Sequence, residues 1–330
     1  MSQETWTVKS TLDWTVDYLA RKGDESPLVS AQWLLSEATG LSRIELYVNY
    51  DRPLSLEERD VLRGYVTRRG RGEPLQYITG EVGFRHITVK VRPGVLIPRP
   101  ETEVLVSEAL ALLPAPERPR SAEFLAEMSY VLGDEAEEAG VLAAQAPDGE
   151  GASDNQDQPS LLVADVCTGS GCIACSIAYE HPATRVIATD IDSSAIELAR
   201  QNVALLGLED RIEVCQGDLG EAVPSHLVGA FDAVVSNPPY VPTSVMSEIP
   251  REVLDFEPAL ALDGGQDGLD LFRRLAVWAL AALKPGGAFA CELHETCLDE
   301  AAEFARGLGF SNVRIVYDLT GRPRVLTALK

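Results

Sequence analysis

Apolar residues along this chain change their spacing twice. In residues 1–80, Trp6, Leu12, Trp14, Val16, Tyr18 and Leu19 open a helical pattern that Ala31, Trp33, Leu34, Leu35 and Leu41 continue. Ser55-Leu56-Glu57-Glu58 reads as a helix start, with serine at the cap and two acids in the first turn. Three of the four tryptophans fall in this stretch and are expected to anchor a small helical bundle. Over Tyr77–Val91 the period shortens to two. Ile87, Val89 and Val91 alternate with Thr88 and Lys90, and Gly80 and Gly83 supply turns, which predicts a β-hairpin. Pro100 followed by Glu101 and Glu103 then makes a helix N-terminus running to about Leu113, because proline suits the first turn and acids suit the positive end of the dipole.

From Leu161 short apolar runs and longer amphipathic stretches take turns. Strands are predicted at Leu161–Cys167, Arg185–Asp190, Ile212–Gln216, Asp232–Ser236, Ala288–Leu293, Val313–Tyr317 and Arg324–Ala328. Helices are predicted at Gly171–Tyr179, Ser194–Leu206, Leu269–Leu283 and Cys297–Leu308. Such alternation implies an α/β fold, a seven-stranded and mostly parallel sheet with helices on both faces. The short turn Asp318–Pro323 makes the last strand antiparallel to the one before it. Three units follow: a helical domain over 1–80, a hairpin linker over 81–98 and an α/β domain over 99–330.

Composition narrows the chemistry. Residues 115–158 hold eleven acids against two arginines, a net −9, and are rich in Ala, Gly, Gln and Ser. They read as a solvated, disordered insertion with at most a short helix near Phe124–Leu132. The whole chain carries 51 acidic against 28 basic residues, a formal charge of −23, and so lacks the basic excess of proteins that grip nucleic-acid phosphates. No apolar run is long enough to span a membrane. The first residues lack the basic and apolar regions of an export signal, so a cytoplasmic protein is expected, acting as a monomer. The six cysteines sit in apolar segments of the second half. Cys172 and Cys175 have no second pair or histidine cluster, so they read as packing thiols and no metal is expected.

Four strand ends carry candidate chemistry. Asp165-Val166-Cys167-Thr168-Gly169-Ser170-Gly171 leaves the first α/β strand and opens a helix, where glycines let a ligand approach the backbone. Asp190 closes the next strand, placed for ribose hydroxyls, and Asp218-Leu219 follows the third, placed for an adenine amino group. Asp165 stands before the turn and suits a cationic amino group better than a pyrophosphate. Three acids at successive strand ends fit a positively charged nucleoside cofactor such as S-adenosyl-L-methionine. At the fourth strand end stands Asn237-Pro238-Pro239-Tyr240. Its prolines lock two φ angles and remove two donors, leaving outward-facing acceptors. That cluster suits an –NH2 group held by its hydrogens while its nitrogen reacts.

With these motifs, Pro74–Gly80, the Ile97–Glu103 stretch and Phe256-Glu257-Pro258, the chain resembles the HemK/PrmC group of S-adenosylmethionine-dependent, Rossmann-like methyltransferases. The resemblance leaves out only residues 115–158. It implies methyl transfer to the glutamine amide of the Gly-Gly-Gln loop in peptide chain release factors. Asp165, Cys167, Thr168, Gly169, Ser170, Gly171, Asp190, Asp218, Leu219 and Asn237 would then hold the cofactor. Asn237 Oδ1 and the Pro238 carbonyl would take the two amide hydrogens, Pro239 would stiffen the loop, and Tyr240 would pack on the flat amide. Arg99 and Glu101 would shape the substrate rim, though Glu101 serves equally as a helix-terminal acid. His294, Cys291 and Cys297 read as structural. Where Cys167 stands the family commonly has glycine, and a small thiol is expected to be tolerated. The Asn-Pro-Pro-Tyr motif also serves enzymes that methylate nucleobase amino groups, and a sibling group modifies a ribosomal-protein glutamine. A cofactor-binding module without turnover is the non-enzymatic alternative. The acidic charge and the helical N-terminal region favour a protein substrate.

Overall fold

The computed structural model describes residues 6–115 and 161–330. The expected acidic insertion, apart from Ala115 at its edge, therefore lies outside the described residues. Five helices come first: α1 (Val8–Arg21), α2 (Pro27–Thr39), α3 (Arg43–Val48), α4 (Leu56–Arg69) and α5 (Leu75–Thr79). Three begin with reciprocal caps, Thr7 with Ser10, Ser42 with Glu45, and Ser55 with Glu58, each pair satisfying two backbone donors that a helix start leaves free. The core of this bundle is aliphatic, built from Leu12, Leu19, Leu34, Leu35, Leu46 and Leu62. The tryptophans do not anchor it, contrary to expectation. Trp14 and Trp33 are each 45% exposed, and Trp14 stacks on Tyr18 at 5.3 Å along the outside. Narrow spaces between short helices accept Leu and Ala, and the larger indoles are left on the rim.

The hairpin forms as the alternation predicts, β1 (Glu81–Phe84) antiparallel to β2 (Ile87–Lys90), with Ile87 and Val89 buried and Thr88 exposed. It is fastened to the α/β domain by Asn202, whose amide accepts from Lys90 N at 2.7 Å and donates to the Lys90 carbonyl at 3.0 Å. The same Nδ2 donates to the Ser170 carbonyl at 2.8 Å, tying the hairpin to the glycine turn.

The remaining elements are α6 (Thr102–Leu112), β3 (Leu161–Val166), α7 (Cys172–Glu180), β4 (Thr184–Asp190), α8 (Ser193–Leu205), β5 (Ile212–Gln216), β6 (Phe231–Ser236), α9 (Arg251–Phe256), α10 (Asp270–Ala282), β7 (Leu283–Glu292), α11 (Leu298–Leu308), β8 (Ser311–Tyr317) and β9 (Pro323–Leu329). The strands form one sheet in the order β5-β4-β3-β6-β7-β9-β8, parallel except for β9. Because side chains alternate along a strand, each buried strand serves two cores. Val163, Val186 and Val235 face α6, α7 and α8, while Ala164, Ile187 and Val234 face α10 and α11. Burying each valine or isoleucine contributes about 1.5–3 kcal/mol relative to exposure. The largest boundary difference from expectation is at the start of β7. β7 begins at Leu283, opposite Phe231, and its register with β6 is interrupted until Ala288. The intervening Lys-Pro-Gly-Gly has no apolar side chain to pack and one missing donor, so it bulges out of the ladder.

The order reverses at β3, with β4 on one side and β6 on the other. That is where an open parallel sheet leaves a crevice at its carboxyl ends.

Candidate active site

A cavity of about 480 Å³ opens at that crevice. This size is ample for a nucleoside ligand, since small-molecule sites start near roughly 300 Å³. On one side lie Cys167, Thr168, Gly169 and Ser170, with Asp190 and Asp218-Leu219 beside them. Asn237 and Pro239 close the far end, and Arg99 and Thr102 reach in from the start of α6.

The glycine turn uses its two glycines differently. A Cβ on Gly169, at φ +56°, would meet nothing within 4 Å, so the backbone there lies open to a ligand. Gly171, at φ +81°, does not line the cavity; a Cβ would sit 3.1 Å from the Ala199 Cβ, which makes it the seat of α7 on α8. Cys167 holds φ +61°, a left-handed conformation costing an L-residue roughly 1–2 kcal/mol. The thiol is thus tolerated at the expense of backbone strain. Leu219, also lining the cavity, sits at φ +52°. Strained backbone at two of the strand ends that face one cavity is typical of a site where geometry is over-determined by its surroundings.

The three acids have three different fates. Asp190, which lines the cavity, accepts at Oδ2 from Gly169 N at 2.9 Å and at Oδ1 from Asp192 N at 2.9 Å, so each oxygen retains acceptor capacity. Burial raises its pKa, while those backbone donors pull it back. Asp218 lines the cavity, but its Oδ2 already accepts from Arg274 at 2.6 Å, so only part of its capacity is free. Asp165 departs from the reading made for it. It is fully buried, lies outside the lining, and turns Oδ2 to the Thr168 hydroxyl at 2.6 Å and Ala174 N at 3.0 Å. Burial pushes its pKa up to about 7 against those hydrogen bonds. A carboxyl so placed braces the turn from beneath through Oδ2, while its buried Oδ1 makes no hydrogen bond.

Rigidity at Asn237–Tyr240 comes from more than its prolines. Ser236 Oγ donates to the Val166 carbonyl at 2.6 Å, joining the ends of β6 and β3. Val241 N donates to the Leu262 carbonyl at 2.9 Å and Gly264 N returns to Val241 O at 2.8 Å, clamping the loop from the other side. Asn237 Nδ2 donates to Thr102 Oγ1 at 3.1 Å, which orients the amide of this cavity-lining residue and leaves Oδ1 able to accept. Pro238 is buried and Tyr240 does not line the cavity. Its hydroxyl instead donates to Glu292 at 3.0 Å and its ring lies 6.5 Å from His294. Burial and the neighbouring Glu292 carboxylate raise the phenol pKa well above its usual value. His294 shares a hydrogen bond with Thr296, and burial lowers its pKa.

At the rim, Arg99 lines the cavity and pairs with Glu257, while Glu101 is exposed and off the lining. Glu257 also accepts from Ile97 N at 3.4 Å, and burial raises its pKa against the pull of Arg99. Among the described residues, no three His, Cys, Asp or Glu side chains converge as a metal site, and no helix is long and apolar enough to cross a membrane.

The family comparisons agree with this architecture. The PrmC N-terminal domain matches residues 10–80, and the methyltransferase small domain matches residues 153–255. A release factor glutamine methyltransferase of Geobacter sulfurreducens is 36% identical over 323 residues, covering 98% of this chain and 96% of its own. The chain belongs to the release factor glutamine methyltransferase family. Release factor glutamine methyltransferases of Rhodopirellula baltica (35% identical, 98% of this chain and 97% of that one) and Chlorobaculum tepidum (34%, 99% and 98%) match equally completely. Within this release factor glutamine methyltransferase fold, sequence reasoning missed Thr102, Glu257, Arg274 and Glu292. Thr102 and Glu257 lay inside quoted motifs without a role. Arg274 and Glu292 had no local signal, because only the fold brings them to Asp218 and Tyr240.

Proposed function

We propose that this protein transfers the methyl group of S-adenosylmethionine to the side-chain amide nitrogen of the glutamine in the Gly-Gly-Gln loop of peptide chain release factors. The observation that carries the reading is cavity-lining Asn237, its nitrogen engaged by Thr102 and its oxygen left able to accept. The open face of Gly169 and the spare lone pairs of Asp190 fit a nucleoside cofactor. Asp190 would hold the ribose hydroxyls, Asp218 Oδ1 and Leu219 the base, and Cys167 to Ser170 the remainder. Bound S-adenosylmethionine supplies an electrophilic methyl group on a sulfonium centre.

The rest is work for the chain itself. An amide nitrogen is a weak nucleophile because its lone pair is delocalised, so alignment has to supply much of the rate. Asn237 Oδ1 and the Pro238 carbonyl accept the two amide hydrogens and hold the nitrogen in line. As positive charge grows on that nitrogen, both acceptors bind its hydrogens more strongly, which favours the transition state over the ground state. The alkylated amide is acidic enough to lose its proton to water, so no side chain is assigned as base. Arg99 borders the entry. The helical residues 1–80 provide the contact area that a macromolecular substrate needs beyond its inserted side chain. The reading includes a monomer at work in the cytoplasm.

The test is transfer from labelled S-adenosylmethionine to release factor, its Gln→Ala loop variant, a ribosomal protein and DNA. Label should enter the unmodified release factor alone. Label on DNA or on the Gln→Ala variant refutes the reading, and label on the ribosomal protein alone moves it to the sibling substrate.

A further inference from the structure

The loop carrying Asn237 leans on a segment that no step above uses. Residues 262–268, Leu-Asp-Gly-Gly-Gln-Asp-Gly, run past that loop before α10 begins. Val241 and Asp263 form a parallel bridge, in which Val241 N donates to the Leu262 carbonyl and Gly264 N to the Val241 carbonyl. Two residues on, Thr243 N donates to the Gly265 carbonyl at 2.9 Å and Thr243 Oγ1 to Asp263 Oδ1 at 2.9 Å. Asp263, Gly264 and Gly265 also line the cavity.

At Gly264 the two backbones touch. A Cβ there would stand 2.6 Å from Tyr240 Cα, 2.7 Å from the Tyr240 carbonyl carbon and 2.9 Å from the Pro239 oxygen. All three are main-chain atoms, so no change of rotamer could clear them. Carbon atoms rest at about 3.5–4.0 Å, so the two segments would have to part by about 1 Å. The φ of Gly264 is negative, so no left-handed turn calls for glycine here. What the residue supplies is the missing side chain. Gly268 does the same for the Tyr240 carbonyl oxygen, which a Cβ would meet at 2.5 Å. A displacement at Pro239 cannot stay local. The Pro238 carbonyl carbon is bonded to the Pro239 nitrogen, and both rings fix φ. Movement of Pro239 and Tyr240 is therefore passed to the Pro238 carbonyl and to Asn237, the two acceptors assigned to the substrate amide.

We propose that Gly264 is a positioning residue for methyl transfer: carrying no side chain, it lets residues 262–268 lie against the backbone of Pro239 and Tyr240 and so sets where the Asn237 and Pro238 acceptors stand. The proposal rests on the glutamine-transfer reading for its kinetics, while the seating of the loop has a readout free of any substrate. In Gly264→Ala the Val241 amide should exchange with deuterium at least about tenfold faster than in the wild-type protein, because the new Cβ parts the bridge that Val241 makes. Val234 and Val235 in β6 should keep their rates. An unchanged Val241 rate overturns the proposal whatever the substrate is.

Turnover gives the second arm. Gly264→Ala should lower kcat per cofactor-binding site by about 10- to 100-fold, as a misplacement of about 1 Å does. KM for release factor and affinity for cofactor should stay within about threefold, since the helical region and Asp190 lie elsewhere. Gly287→Ala is the control for lost stability alone. A Cβ there also meets backbone oxygens, of Phe231 at 2.9 Å and Lys284 at 3.0 Å, but beside the amino end of β6 and off the cavity lining. That variant should lower Tm and leave kcat per site within about twofold. Equal kcat losses in the two glycine variants, or a loss in Gly264→Ala carried by KM, overturn the proposal. If Gly264→Ala does not fold, Thr243→Val and Thr243→Ser decide. The first drops the clip to Asp263 and should lose about three- to tenfold in kcat, whereas the second keeps the hydroxyl and should lose little. Equal kcat in those two overturns the proposal. Wild-type protein inert toward release factor overturns the substrate reading only, and the exchange arm then judges Gly264.

Discussion

Replacing Arg99 by alanine would strand a buried carboxylate at the edge of the cavity. The Glu257 side chain is 1% exposed and that of Arg99 32%. Breaking a buried pair by removing one partner costs about 3–5 kcal/mol. Here the cost falls below that range, to about 2–3 kcal/mol, because Arg99 is partly solvated and Glu257 keeps a donor in Ile97 N. For a chain of this size that lowers Tm by about 3–4 °C. The loss depends on pH, with a definite sign. Burial raises the Glu257 pKa in the folded state and Arg99 draws it back toward the ordinary 4.5. Without Arg99 it rises further. A carboxyl with a raised folded pKa binds its proton more tightly when folded, so the stability it permits is fully present below the unfolded pKa and fades as pH rises through the folded one. Calorimetry of Arg99→Ala should therefore show a small deficit near about pH 5 and the full deficit near about pH 8. Adding Glu257→Gln should recover much of it, because no charge is then left behind. An equal deficit at both pH values, or no recovery in the double variant, would refute the account of this pair.

Three further outcomes follow from the site. Asn237→Ala should lower kcat by at least about 100-fold while cofactor affinity by calorimetry falls little, because it removes an acceptor that acts on the transition state; equal losses in both would show that Asn237 serves the cofactor first. Asp190→Asn should weaken cofactor binding by about 1.5–3 kcal/mol, the usual worth of a charged hydrogen bond, and also lower the thermal transition somewhat, because the new Nδ2 would face the backbone donor of Gly169 or Asp192. Gly171→Ala should destabilise by about 2–3 kcal/mol in denaturant titration, because a Cβ would be strained at φ +81° and pressed on Ala199; a neutral result would mean that α7 and α8 can separate at no cost.

Much of this fold is readable along the chain. Strands β3, β4 and β6 fall within one residue of prediction at each end, because strands buried on both faces appear as apolar runs between turn residues, and edge strand β5 falls at its predicted residues by its buried-exposed alternation. The Ser55 cap, the hairpin alternation and the Pro-Pro pair are local chemistry, decided by residues a few positions apart. Membership of a ligand-side strand end is equally local, which is why Asp190, Asp218 and Asn237 were found.

Which way a side chain turns once it arrives there is another matter. Asp165 and Asp190 occupy comparable strand ends, yet one braces the turn and the other faces the cavity. Tyr240 stands beside Asn237 in the chain and points to Glu292, 52 residues on, while Asn237 points to Thr102, 135 residues back. Hydrogen bonds of buried polar groups must be closed with whatever the fold brings within about 3 Å, and sheet order together with the helices packed on it sets that company. Local pattern thus named the elements and the loops that carry chemistry. Packing of β3, β6, β7 and α6 decided which atoms those loops present.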